Sequence, residues 1–411
     1  MSAAAPGVAV HAYPWDVLDG GGASAAARDL GAGVVHLAAA YHAVRAATPT
    51  HPRRRVVEAV SSALYTAAHE EVWSGAALVP PAADAWAGPD SYGRAQEALR
   101  ADGLRVRAWL ALSHVDGIGG ARGECVITAF GDVLPHALCP SRPAVRDYAT
   151  RLVTQVVRAR PDGLVVEACG QLGLDHAPAH DKTAGADWTA GERALLSVCV
   201  CAACRAGWVA RGLAPGDAGA VPGRVRAAVV AGGHDLRSGL GPAAEVVLGH
   251  RRAVAASLLD EVVVAAAAGG VDDVAVHVSP DDASTSPASP VLPDAGGPGW
   301  AGGPTAVAHC WGPDGAAAVR AVAARAGAGA RVAAYTTVLP PAPEDDVELA
   351  RRWGGLLAAG ADELHVYHLG LASRRRLERA SGTLRRLGAP AGPGTGATGA
   401  PAARRPLEEQ P

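Results

Sequence analysis

The sequence predicts an α/β protein built as a single (β/α)8 TIM barrel with long βα loops and a disordered C-terminal tail. Eight short apolar runs alternate with Ala-, Arg- and Glu-rich helical stretches, an order that calls for parallel strands and right-handed crossovers. Several runs, such as Gly163-Leu-Val-Val and Asp273-Val-Ala-Val, are continuous rather than alternating, as in strands buried on both faces. No Gly-rich phosphate fingerprint follows the first run. Gly20-Gly-Gly22 lacks the helix-opening spacing, which favours the barrel over an open doubly wound sheet.

In chain order, the expected strands are Val8–Tyr13, Val34–Ala40, Arg105–Ser113, Gly163–Ala168, Asp273–Ser279, Ala306–Trp311, Arg331–Val338 and Glu363–Leu369. Helical patterns fill Arg54–Glu70, Tyr92–Ala101, Ala144–Arg160, Glu192–Arg211, Ala244–Ala268, Gly315–Ala326 and Val347–Ala359. Residues 70–91, 212–243 and 280–304 read as irregular from their Pro and Gly content. Loops that long are functional or mobile. Residues 1–388 are the expected barrel, and the Pro/Gly/Ala-rich stretch 389–411 the expected tail.

The 411 residues are 49% hydrophobic and 19% charged, enough apolar mass for a large core. A net charge of −3 offers no bulk basicity for nucleic acid or an anionic membrane. No apolar run reaches the roughly 18–20 residues that cross a bilayer. Met1–Tyr13 carries no Lys or Arg before its apolar stretch and does not resemble a secretory signal, so a cytoplasmic chain is expected. Oligomeric state is not legible. Nor does any motif call for an organic cofactor.

In such a barrel the chemistry gathers at the C-terminal ends of the strands. The candidate substrate contacts there are His11, Tyr13, Trp15 and Asp16 after the first strand, and His36, Tyr41, His42 and Arg45 after the second. Trp109 and His114 follow the third, Gln171 and His176 the fourth, and Trp311, Tyr335, Tyr367 and His368 the last three. His277, His309 and Cys310 also fall at strand ends. The chain holds only nine Trp, seven Tyr, one Phe and 15 His, so their concentration at strand ends is informative. Aromatic faces stack on sugar rings, and polar tips bind hydroxyls. Glu167 ends the fourth strand after Leu164-Val-Val, where burial can raise its pKa and fit it for general acid work. The competing assignment is a structural Glu paired with an arginine such as Arg45.

Seven cysteines, three of them crowded as Cys199-Val-Cys201-Ala-Ala-Cys204, suggest metal or free thiols before disulfides. With Cys139 as fourth ligand they could hold a structural zinc; small buried helix-face thiols are the bland alternative.

Two resemblances follow from these residues. The order Cys139-Pro-Ser-Arg-Pro-Ala-Val-Arg146, Glu167, Cys199-Val-Cys-Ala-Ala-Cys204-Arg-Ala-Gly-Trp208 resembles the zinc-cluster (β/α)8 β-galactosidases over residues 139–208. More broadly the chain looks like glycoside-hydrolase-like barrel proteins. The resemblance implies Glu167 as acid/base and a zinc on Cys139, Cys199, Cys201 and Cys204. It fails at two points: Val166 stands where the family has Asn, and Ala333-Ala-Tyr335-Thr-Thr-Val-Leu-Pro340 lacks the nucleophilic Glu of the seventh strand. β-Galactosidase specificity is therefore not carried over.

Retaining hydrolysis needs two carboxyls about 5–5.5 Å apart, inversion about 6.5–9.5 Å. Asp16, Asp175 and Asp181 are candidates for the second; Asp175 is favoured because Gln171, Asp175 and His176 share a loop with Glu167. The expected function is hydrolysis of a carbohydrate, and the alternative is a carbohydrate-binding barrel without a complete carboxylate pair. A third possibility is a metal-dependent hydrolase using His36, His42, His176, His180, Asp175 and Asp181. Pro178 argues against a regular helix under the His176/His180 spacing. Lys182, the single lysine, sits in a polar loop beside Asp181, where nothing would lower its pKa.

Overall fold

Eight parallel strands close into a ring in a computed structural model that describes residues 6–83, 87–118, 120–175, 182–293 and 299–388. They are β1 (Gly7–Ala12), β2 (Val34–Tyr41), β3 (Arg105–Ala111), β4 (Gly163–Glu167), β5 (Val274–Val278), β6 (Thr305–His309), β7 (Val332–Thr337) and β8 (Glu363–Tyr367). Each pairs with its sequence neighbour, and β1 closes the ring by pairing with both β2 (Ala9↔Val34) and β8 (Gly7↔Glu363). All eight expected strands are present. Their Val- and Ala-rich runs are buried along nearly their whole length, as required between a filled barrel and a jacket of helices.

The helices Ser91–Ala101, Pro143–Val157, Ala244–Ala268, Gly315–Ala326 and Asp346–Ala358 match the expected patterns. Three expectations fail. Arg54–Glu70 is not helical: Val56–Ala59 pairs antiparallel with Val44–Ala47, Ala63–Leu64 adds antiparallel to the end of β2, and only Glu70–Trp73 forms a helical turn. Val56 and Val57 are β-branched, and Val56–Ala59 alternates exposed and buried with the two-residue period of a half-buried strand. Glu192–Arg211 is broken into Ala190–Leu196 and Ala202–Ala210, with Cys199 and Cys201 in the extended gap. Residues 212–243 are not irregular, for they form helices Pro215–Ala231 and Leu236–Leu240. Pro215 sits in the first turn, where a missing N–H costs nothing. The expected tail, 389–411, lies outside the described residues.

Two separate apolar cores result. The barrel and its helices form one. The second lies in the excursion between β4 and β5, where Leu195, Trp208, Val221, Val225, Leu236 and Leu248 pack with Val126, Leu172 and the four clustered cysteines. No helix among the described residues is long and apolar enough to cross a membrane.

Candidate active site

Glu167 is the last residue of β4, and its register partner on β3 is Ala111. The chain then turns sharply. Ala168 takes φ 53°, a conformation a Cβ disfavours, and is held there by its neighbours. Its N–H donates to Pro287 O at 2.8 Å, and Ser113 Oγ donates to the carbonyls of Ala168 (2.8 Å) and Gly170 (2.5 Å). This turn sends the chain outward and leaves the Glu167 side chain at the mouth of the barrel.

There it lines a cavity of about 530 Å³, within the usual range for small-ligand sites. Trp311, Tyr335, Tyr367 and His309 build an aromatic wall. Ring centroids lie 5.3 Å apart for His309–Trp311, 5.5 Å for Trp311–Tyr335 and 5.2 Å for Trp311–Tyr367. Tyr41, His42, His114 and His277 line other parts. Ser279, Ser286 and Pro287, from the long loop after β5, close the remaining side. His277 Nε2 and Trp311 Nε1 have no hydrogen-bond partner among the described residues, so both are available to ligand hydroxyls.

Glu167 is 5% exposed, and burial pushes its carboxyl up to about 7. The Trp109 indole N–H and the Tyr41 hydroxyl temper that rise, although the indole falls short of full hydrogen-bond geometry. No arginine pairs with Glu167 among the described residues; Arg45 is exposed on the hairpin, opposite Glu58. Glu167 is also the single carboxylate among the described lining residues.

The other expected contacts fall outside that lining. His11 and His36 lie deeper in the barrel, with His36 Nδ1 3.3 Å from His11 Nε2. Tyr13, Trp15, Asp16 and His368 are buried together: Tyr13 stacks on Trp15 at 4.4 Å and contacts His368 at 4.4 Å. The Tyr13 N–H donates to Asp16 Oδ2 at 2.8 Å. Burial raises the Asp16 carboxyl to about 7 as well. Trp109 is fully buried behind Glu167. Gln171 is committed to Ser197 O through Nε2, at 2.6 Å. Asp175 is exposed and paired with Arg193 at 2.7 Å. Asp345 caps a helix through the Glu348 N–H, and Glu344 pairs with Arg376. His176, His180 and Asp181 lie outside the described residues. His277, His309, Ser279 and Ser286 join the site without having been singled out as contacts. The strand-end rule reaches the first two, and no local signal marks the serines.

Away from this cavity, Cys139 Sγ lies 3.7 Å from Cys199 Sγ, 3.8 Å from Cys201 Sγ and 3.5 Å from Cys204 Sγ. The gap between two helices brings Cys199 and Cys201 in, and the first turn of Ala202–Ala210 brings Cys204. The Ile127 N–H donates to Cys199 Sγ and the Cys204 N–H to Cys201 Sγ, both at 3.5 Å. Such amide donors, and the Arg142 and Arg251 guanidiniums nearby, favour thiolates. The thiols interact so strongly that their shared hydrogen bonds push Cys199 and Cys201 down and Cys139 up. The donor set therefore fits a buried metal ion. None of the seven cysteines forms a disulfide.

The fold is a (β/α)8 barrel. It is similar to the catalytic domain of a β-amylase from Paenibacillus polymyxa, with a TM-score of 0.53, 12% identity, and coverage of 94% of this chain and 99% of that one. It is also similar to an α-L-fucosidase isoenzyme from Paenibacillus thiaminolyticus, with a TM-score of 0.47, 13% identity, and coverage of 92% of this chain and 49% of that one. These are likenesses of fold alone. No protein-family model matches the chain, and no curated protein matches it in sequence.

Proposed function

We propose that this protein is a glycoside hydrolase in which Glu167 serves as general acid or acid/base. The observation that carries this reading is a buried carboxyl, raised to about 7, facing an aromatic cavity at the barrel mouth. A carboxyl of that pKa keeps its proton near neutrality and can deliver it to a leaving glycosidic oxygen. Trp311 and Tyr335 would stack on the sugar ring, while Tyr41, His277 and Tyr367 would bind its hydroxyls. The test is hydrolysis of an aryl-glycoside panel by wild type and Glu167→Gln. Equal activity in both would remove Glu167 from the mechanism.

One observation favours a second reading. No other carboxylate lines the described cavity, as expected of a barrel that binds carbohydrate without cleaving it. A sugar-dependent rise in melting temperature without turnover would select it.

We further assign zinc to Cys139, Cys199, Cys201 and Cys204. Four thiolates make a closed tetrahedral site, which is structural rather than catalytic.

A further inference from the structure

We propose that His42, His114 and Asp116 form a second metal site, for a divalent cation of the zinc class, opening on the cavity that holds Glu167. One ligand atom from each residue lies within 4.8 Å of the other two. Metal–ligand bonds of about 2.1 Å in a tetrahedral arrangement require ~3.4 Å between ligand atoms, so a small closure completes the set.

Strand geometry brings them together. After β3 the chain bends at Leu112 and Ser113 and then bridges antiparallel to Ala137 at His114, with the Val115 N–H donating to His136 O at 3.0 Å and the Leu138 N–H to Ser113 O at 2.8 Å. His114 and Asp116 are both buried, and a ligand atom of each lies within 4.8 Å of the other. β2 pairs with β3 and ends at Tyr41, which delivers His42 beside them. Reciprocal bonds fix Asp116 to Ser62: the Asp116 N–H donates to Ser62 Oγ, and the Ser62 N–H donates to Asp116 O, both at 2.7 Å.

Ala43 supplies an independent indication. Its N–H donates to Asp116 Oδ2 at 2.9 Å, and its carbonyl lies 2.8 Å from His42 Nδ1. A carbonyl oxygen only accepts, so Nδ1 carries the proton and Nε2 keeps its lone pair. This is the tautomer and backbone anchor that metal-binding histidines use. The His42 and His114 rings stack with centroids 3.9 Å apart and 20° between planes, so a shared cation would require one ring to turn out of the stack. Three protein ligands leave a coordination position open. Both imidazoles line the cavity, so that position faces the same space as Glu167. A cation there would polarise a bound hydroxyl or water. The site goes beyond the hydrolase reading and stands or falls without it.

Cobalt(II) titration of the full chain, followed by absorption, tests it. Cobalt on the four cysteines gives intense thiolate charge-transfer bands, while cobalt on imidazole and carboxylate gives only weak visible bands. Wild type should bind one equivalent with thiolate bands and one without. Asp116→Asn should weaken the second by about 10–100-fold and leave the thiolate bands intact. Absence of the second equivalent in wild type, or its persistence in Asp116→Asn, would overturn the proposal. If Asp116→Asn fails to fold, His42→Gln at the half-buried position decides by the same readout.

Discussion

Arg107 on β3 donates through Nη1 to Glu363 Oε2 on β8 at 2.9 Å, joining two strands that share no ladder. Its Nε donates to Asp273 Oδ2 at 2.8 Å, and its Nη1 also lies 3.4 Å from His36 Nε2. Arginine cannot accept, so His36 Nε2 does, and the His36 Nδ1–H points to His11. His365 Nε2 lies 3.0 Å from Glu363 Oε2. Burial alone would raise the Glu363 carboxyl, but His365 and Arg107 outweigh it and hold it at about 2. The barrel floor is thus a bonded charge network rather than the aliphatic layers such barrels often use.

Replacing Arg107 with Met should therefore cost about 1–3 kcal/mol, because buried Glu363 loses a charge-assisted bond and keeps only His365, while Asp273 still holds Arg331. Urea unfolding checks this. A midpoint equal to wild type would mean that the network adds nothing to stability.

Glu167 should impose a pH dependence on stability. Its ordinary carboxyl value is 4.5 and its folded value about 7. Between those values the unfolded chain releases the proton while the folded chain keeps it. Stability therefore falls as pH rises through this window, by about 3 kcal/mol in all, and is level below it. Asp16 adds a loss of the same sign, since burial raises it to about 7 also. Glu167→Gln should flatten the curve only in part and should lower glycoside turnover about 10²–10⁴-fold. Urea midpoints from pH 4 to 8 and the rate assay read both effects.

Gly370 admits no side chain. A Cβ there would stand 1.9 Å from Asp16 Oδ1 and 2.0 Å from its Cγ. Asp16 cannot retreat, being buried under the first βα turn with Oδ2 bound to the Tyr13 N–H. Gly370→Ala should cost about 1–3 kcal/mol through overpacking, read as a lowered melting temperature.

The eight strands were legible because a strand buried on both faces leaves a continuous apolar run. The Val44–Ala47/Val56–Ala59 hairpin was not, since its arginines and Glu58 satisfy a helical pattern equally well and its pairing is non-local. The strand-end rule led to Glu167, Tyr335, Trp311 and Tyr367. It could not separate His42 from His36, because depth along the barrel axis depends on strand stagger, which no single strand records. Asp116 was missed because its partner His42 lies 74 positions away and meets it only through the β2–β3 pairing.

The four cysteines belong to the second core and not to the barrel, and that division predicts what metal removal does. Cys139, Cys199, Cys201 and Cys204 pack with Val126, Leu195, Trp208 and Val225, while the barrel strands pack in their own cluster. A zinc here would tie the strand Val133–Leu138, through Cys139, to the broken helical stretch around Cys199–Cys204. Without it, several buried thiols must share few protons within 4 Å of one another, and the extended gap 197–201 loses its tether. Chelation or Cys201→Ser should release about one zinc per chain and increase amide exchange across Ala190–Leu240. Protection in β1–β8 should stay near wild type, because local opening follows local packing. Hydrogen exchange by mass spectrometry, with metal counted in the same samples, resolves the two regions. Loss of protection in the barrel strands together with the excursion would show one cooperative unit and sink the division into two cores.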